Sequence, residues 1–193
     1  MVKIEDELNQ KLKGYSKENE KHIGGGQVGP LSMGSYSRAS IKWIKGRYLT
    51  IRPSFIDKLG ISTYITHIFW DEEAGHLAFS ESGRTDKWFE QKGHVSISIL
   101  SGHIYLVTNS EGQYRTIILG RSPKNNGLID LLSTIAMTQG AHGVPIACPI
   151  VLMTTEEAMI SNCGVLYPGD NNYENYREAL NQASSGHFMQ FVP

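Results

Sequence analysis

A chain of 193 residues with 40% hydrophobic and 19% charged content has the make-up of an ordinary globular protein, enough for one domain or two small ones. Its formal net charge of −1, from 18 basic and 19 acidic residues, lacks the basic excess of a dedicated nucleic-acid binder but leaves room for a local patch. Apolar runs such as Val144 to Met153 are too short, and too interrupted by Pro145 and Pro149, to cross a bilayer. The opening MVKIEDELNQKLKG is charged where an export signal would be apolar, so a cytoplasmic protein with no membrane partner is expected.

Ile4, Leu8 and Leu12 fall at four-residue intervals and predict a short N-terminal helix. The glycine-rich stretch GGGQVGPLSMGSY, residues 24–36, predicts an irregular arm, because glycine resists regular structure. It lacks the Gly-Lys-Ser/Thr and the flanking strand and helix of a phosphate loop. Residues 1–36 are therefore expected to form an N-terminal helix and glycine-rich arm.

Residues 37–120 read as a β-rich central domain. Ala39, Ile41 and Trp43 alternate with polar neighbours, Lys45-Gly46 turns the chain, and Tyr48, Leu49 and Ile51 follow. Pro53 is placed to open a helical turn, SFIDKLG, that sets Phe55, Ile56 and Leu59 on one side and stops at Gly60. Tyr64 to Trp70 is a strongly apolar strand, Asp71 to Gly75 a polar turn, and His76 to Phe79 the returning strand of a hairpin. From Gly93 to Leu119 a three-strand meander is expected, with turns at Ser101-Gly102 and Asn109 to Gly112.

RSPKNNG, residues 121–127, marks a boundary. Beyond it, residues 127–193 are expected to form a C-terminal α/β lobe. Leu128, Ile129, Leu131, Leu132 and Ile135 fit an amphipathic helix ending near Gly140, and Ile150 to Met153 a short buried strand. Thr154 to Glu157 resembles a helix start, Tyr173 to Ala183 an amphipathic helix, and the apolar end from Phe188 is expected to tuck in. The fold class is thus α+β, a central antiparallel β-rich barrel or sandwich with an N-terminal helix and a C-terminal α/β lobe.

No residue pattern predicts catalysis, a metal or a cofactor. Cys148 and Cys163 read as buried reduced thiols. Of the seven histidines none has close metal-ligand spacing; His67 and His76 flank one hairpin and His94 and His103 the next, where facing pairs are conceivable but solvated strand histidines are the simpler expectation. Asp71, Glu72 and Glu73 are consecutive on a turn and point apart, unlike a catalytic dyad. Ser101-Gly102-His103 and Ser185-Gly186-His187 lack the strand-to-helix elbow that exposes a nucleophilic serine. Tyr36, Trp43, Tyr48, Phe69, Trp70 and Trp88 interleave with basic residues, the pairing used to hold single-stranded nucleic acid, although Trp43, Phe69 and Trp70 read first as core. Tyr167, Tyr173 and Tyr176 fit either a small-molecule or peptide site or a loop docked on the last helix.

Gly46-Arg47, the apolar pair Leu49 and Ile51, Pro53, Leu59-Gly60-Ile61 and Asp71-Glu72-Glu73 together resemble the swapped-hairpin, AbrB-like family over residues 42–79. That resemblance implies a homodimer whose two copies interleave into one barrel, acting as a DNA-binding regulator or phage-type protein. It also implies that Lys42, Lys45, Arg47 and Arg52 hold DNA phosphates, giving weak and salt-sensitive binding. Residues 92–119, with Lys92-Gly93-His94 in place of Lys45-Gly46-Arg47, offer a second copy within the same chain. The rival expectation, favoured by the near-zero net charge, is a viral or phage structural protein or host-directed inhibitor that binds another protein.

Overall fold

The computed structural model describes residues 29–87, 90–108, 114–122, 130–139, 145–154 and 163–185. Their strands are β1 (Gly46–Pro53), β2 (Ile61–Asp71), β3 (His76–Ser82), β4 (Lys92–Ile97), β5 (Ile104–Thr108), β6 (Arg115–Ser122), β7 (Asp130–Gln139), β8 (Pro145–Cys148), β9 (Val151–Thr154) and β10 (Gly164–Leu166). A 3-10 turn (Leu31–Met33) precedes them and one α-helix, α1 (Tyr173–Ser184), follows.

Every pairing is antiparallel, and the pairings run in a circuit. From β2 to β7 each strand pairs with the next in sequence, β7 pairs β9, β9 pairs β1, and β1 returns to β2. The circuit closes through only two β7–β9 pairs, Leu131↔Leu152 and Leu132↔Val151. β8 extends the β7 edge and β10 the β2 edge. All strands of this ring come from one chain.

Side chains alternate across each strand, so one set fills the ring and the other faces out. Tyr48, Ile68, Trp70, Leu77, Phe79, Val95, Ile104, Leu106, Ile117, Leu119 and Leu152 form the buried interior. One end of the ring is stoppered by the chain ahead of β1. There Ile41 and Ile44 are fully buried, and the Tyr36 hydroxyl donates to Val95 O (2.8 Å) and accepts from Leu77 N (3.0 Å). On the outside, α1 lays Tyr173, Tyr176, Leu180 and Ala183, spaced three and four apart, onto Leu49, Ile51, Ile61, Ile65 and Val151. The Tyr173 hydroxyl donates to Leu59 O (2.8 Å), which pins the helix to the loop between β1 and β2.

The β-rich core, the first hairpin, the meander β4–β6 and the last helix agree with the sequence reading; four local expectations do not. Residues 39–43 form turns rather than a strand, held by Ser40 N to Ser37 O and Ile44 N to Ile41 O. Pro53 ends β1 opposite Ile61 rather than opening a helix, and residues 54–60 are a loop. The cause is side-chain competition for the backbone: Ser54 Oγ accepts from Ile56 N and Asp57 N, and Asp57 Oδ1 accepts from Leu59 N, which fixes turns instead. The short helix expected from Pro53 to Gly60 is therefore not formed. Of the segment expected as a helix from Leu128, the described residues 130–139 are β7, bonded along one edge by β6 and along the other by β8 and β9. Tertiary pairing on two sides outweighs a helical spacing of apolar residues. The turn expected at Ser101-Gly102 begins earlier, and Ile99 sits exposed in it between β4 and β5. The expected N-terminal helix, the helix start at Thr154–Glu157 and the apolar C-terminal end lie outside the described residues, apart from Thr154, which ends β9.

Candidate nucleic-acid interface

On β1 the odd positions face outward. α1 covers Leu49 and Ile51 but stops short of Arg47, which is exposed. The strand registers then set Arg47 opposite His67, His67 opposite Ser80 and Ser80 opposite Lys92, a straight row across four strands. The neighbouring row is Phe69, Ala78, His94 and Val107, and the next pairs Asp71 with His76.

Small residues shape this face. Ala78 and Ser80 on β3 lie low between Phe69 on β2 and Lys92 and His94 on β4, leaving an open trough of about 400 Å³ with Asp71 and His76 at one end. The His67 and Phe69 rings stack 5.0 Å apart at 28°, and His94 meets His76 edge-on at 6.5 Å. Burial, and then the Arg47 charge, hold the His67 imidazole below its ordinary pKa; burial, and then His76, do the same for His94. Near neutral pH both rings are uncharged and present π faces, while Arg47 and Lys92 supply the charge. The facing pair is thus His76 with His94; His67 and His76 do not oppose one another, nor do His94 and His103. Among the described residues no three His, Cys, Asp or Glu side chains gather to hold a metal.

Of the four cations expected to share a face, Lys42 and Lys45 are exposed on the approach to β1, Lys45 next to the last β1–β2 pair, Gly46↔Ile68. Arg47 joins the outer row. Arg52, five positions on, has the opposite parity and points into the ring, 6% exposed.

Around Arg52 the unstoppered end of the ring is ionic. Glu81 accepts from Arg84 Nη1 (3.2 Å) and from Arg115 Nη2, and Arg84 holds Asp86 through Nε and Nη2, both at 2.9 Å. The Tyr64 ring lies between Arg52 at 5.8 Å and Arg84 at 4.8 Å. Burial, reinforced by Glu81, raises the Tyr64 pKa against the pull of three arginines. Burial also works against the Asp86 charge, but the Arg84 hydrogen bonds and charge outweigh it and hold that carboxyl below the usual range. Cys148 is pushed up to about 11 by burial, despite Arg52 and Arg115, so it is an inert buried thiol. Tyr173 and Tyr176 dock the helix, leaving Tyr167 exposed.

Lys92, His94 and the role of Phe69 on the outer face were not assigned from sequence; only the registers of three strand pairs bring them beside Arg47. In comparisons with protein-family models, with curated proteins and with solved structures, nothing matches the chain. Fold and site together describe a single-chain antiparallel β-barrel with a mixed cationic and aromatic outer face.

Proposed function

We propose that the chain is a non-catalytic binding protein that holds single-stranded nucleic acid across β1–β4. Phosphates follow Arg47 and Lys92, with Lys45 and Lys42 extending the track, and bases stack in the trough on Phe69 and His94. The observation that carries the reading is the in-register row from Arg47 to Lys92, directly beside the Phe69–Ala78–His94 row. At roughly 4.8 Å per strand the two cations stand about 14 Å apart, the span of a short run of nucleotides rather than of one phosphate. Cations tracking a backbone beside exposed rings is how single strands are gripped without sequence readout. A fluorescence-anisotropy titration tests it, using a labelled single strand and its duplex at low and moderate salt. Saturable binding, tighter for the single strand and lost in Arg47→Glu/Lys92→Glu, supports the reading. No binding of either nucleic acid at low salt refutes it, as does undiminished binding by the double variant.

A second reading, a protein partner, draws support from the β4–β5 turn, where Leu100 stands fully and Ile99 largely in solvent. Ile99→Ser/Leu100→Ser would then leave oligonucleotide binding intact while abolishing the protein contact.

A further inference from the structure

The ionic end of the barrel is not balanced. Three guanidiniums, of Arg52, Arg84 and Arg115, surround Tyr64 with two carboxylates, of Glu81 and Asp86. Glu81 serves Arg84 and Arg115, and Asp86 is bound in a two-point fork by Arg84. Arg52 is the surplus cation. It donates from Nη1 to Pro53 O (2.9 Å) and lies 4.1 Å over the Phe55 ring, yet among the described residues no carboxylate is within ion-pair distance of it. Ring contacts offset part of the penalty of burying a cation, but the fork of an arginine is best satisfied by a carboxylate. Two buried polar atoms of this cluster, Tyr64 Oη and Arg115 Nε, have no hydrogen-bond partner among the described residues.

Beside Arg52 opens a cleft of about 80 Å³, walled by Arg52, Phe55, Tyr64, Arg84 and Asp86. We infer that this cleft is a binding site for a single carboxylate carrying a short aliphatic group, with Arg52 as its ionic partner. The size admits a carboxylate and a few carbons and falls well below a drug-sized pocket of roughly 300–1,000 Å³. The charge count calls for one negative charge, and the Asp86 carboxylate on the wall repels a second, which favours a monoanionic carboxylate over a phosphate. The rim supplies the apolar complement: Phe55 is 37% and Ile56 98% exposed, on the loop that Ser54 and Asp57 hold in place. A free short-chain acid and the C-terminal end of a peptide share this chemistry. The site lies at the rim of the ionic end of the ring, apart from the Arg47–Lys92 row, and stands or falls independently of nucleic-acid binding.

The test is NMR titration of the whole protein with butyrate, inorganic phosphate, and an N-acetylated alanine tripeptide as its free acid and as its amide. The expected result is saturable shifts around Tyr64 and Phe55 with butyrate or the tripeptide acid, at least ten-fold weaker with phosphate and with the amide, and absent in Arg52→Met. Butyrate matching the tripeptide acid identifies a free acid as the ligand class, and a tighter tripeptide acid identifies a chain end. If Arg52→Met does not fold, Asp86→Asn takes its place and is expected to narrow the gap between phosphate and butyrate. The inference is overturned if neither carboxylate gives saturable shifts into the tens of millimolar, if amide equals acid, or if a folded Arg52→Met binds like the parent. With Asp86→Asn as the variant, an unchanged preference overturns it.

Discussion

Glu81 is the shared counter-ion of two buried guanidiniums, and its removal is the most decisive perturbation of the fold. Its side chain has no solvent exposure, and those of Arg84 and Arg115 are 6% and 9% exposed. Glu81→Gln keeps the shape and part of the hydrogen bonding, including an acceptor for Gln91 N, but removes the charge. Arg84 retains Asp86, whereas Arg115 loses its one ionic partner among the described residues, and an uncompensated buried charge costs about 3–5 kcal/mol. Against a total stability of about 5–15 kcal/mol that is a large fraction, and at about 2–4 °C per kcal/mol for a chain of this size it lowers Tm by about 6–20 °C. Replacing both partners, Glu81→Leu with Arg115→Met, removes the orphan along with the pair, and such exchanges are often neutral or stabilising by about 1–4 kcal/mol. The assay is urea and thermal unfolding of wild type, Glu81→Gln and the double variant. If Glu81→Gln costs under about 1 kcal/mol, or the double variant falls as far as the single, the ionic end is solvated and the account of it is wrong.

The outer face makes quantitative predictions of its own. With Lys42, Lys45, Arg47 and Lys92 engaged, log K should fall against log salt with a slope near −2.8, about fifty-fold between about 50 and 200 mM; Arg47→Ala/Lys92→Ala should halve that slope, and Arg52→Gln should leave it unchanged. Phe69→Ala should weaken single-strand binding about five- to 150-fold with little change in Tm, from about 1–3 kcal/mol of base stacking, and equal affinity would remove the ring from the site. His67 and His94 have depressed pKa values when folded, so the folded state binds fewer protons than the unfolded one. Their contribution is present above the ordinary histidine value of 6.5 and is lost as pH falls through the folded values, so Tm should drop on acidification below about pH 6.5. His67→Gln/His94→Gln should flatten that limb, and an unchanged limb would exclude both histidines. Gly93→Ala should destabilise by at least about 1–3 kcal/mol, because the added methyl would run into the Val107 backbone carbonyl oxygen and also meet Phe79 Cε1 and Thr108 Cα at 2.9 Å each; a neutral result in unfolding experiments would mean that β4 and β5 can separate.

Where two-residue alternation is clean the sequence announces its strands. Val95 and Ile97 on β4 and Ile104 and Leu106 on β5 are examples, and Tyr176, Leu180 and Ala183 announce α1 equally well. β7 was hidden because Leu128, Leu131, Leu132 and Ile135 satisfy a helical period, and only pairing with β6, β8 and β9 makes a strand of it. The parity that separates Arg47 from Arg52 was in the sequence all along. Reading Pro53 as a helix start obscured it, because strand alternation from Arg47 through Arg52 puts an odd interval on opposite faces. The Arg47–Lys92 row was not legible, since it depends on three strand registers and 44 intervening residues acting together.

That separation has a physical consequence for where ligands fit. A ring of eight strands fills its interior with its own side chains, and the Tyr36, Ile41 and Ile44 stopper shuts one end, so no roomy central cavity is to be expected. α1 occupies the outer face over Leu49, Ile51 and Ile65 and, among the described residues, leaves Arg47 exposed and His67 and Phe69 half-exposed on the same side of the same strands. Among the described residues the nucleic-acid and carboxylate sites proposed above therefore fall in two places, the part of the outer face that α1 leaves open and the ionic end. Their character differs because strand alternation sends Arg47 on β1 and Lys92 on β4 to solvent, where they suit a polyanion in exchange for counterions, and Arg52 to the interior, where desolvation makes a single matched carboxylate the better partner. One substitution at each place, Arg47→Glu and Arg52→Met, should therefore abolish one kind of binding while sparing the other, and loss of both by either change would mean the two surfaces are one site.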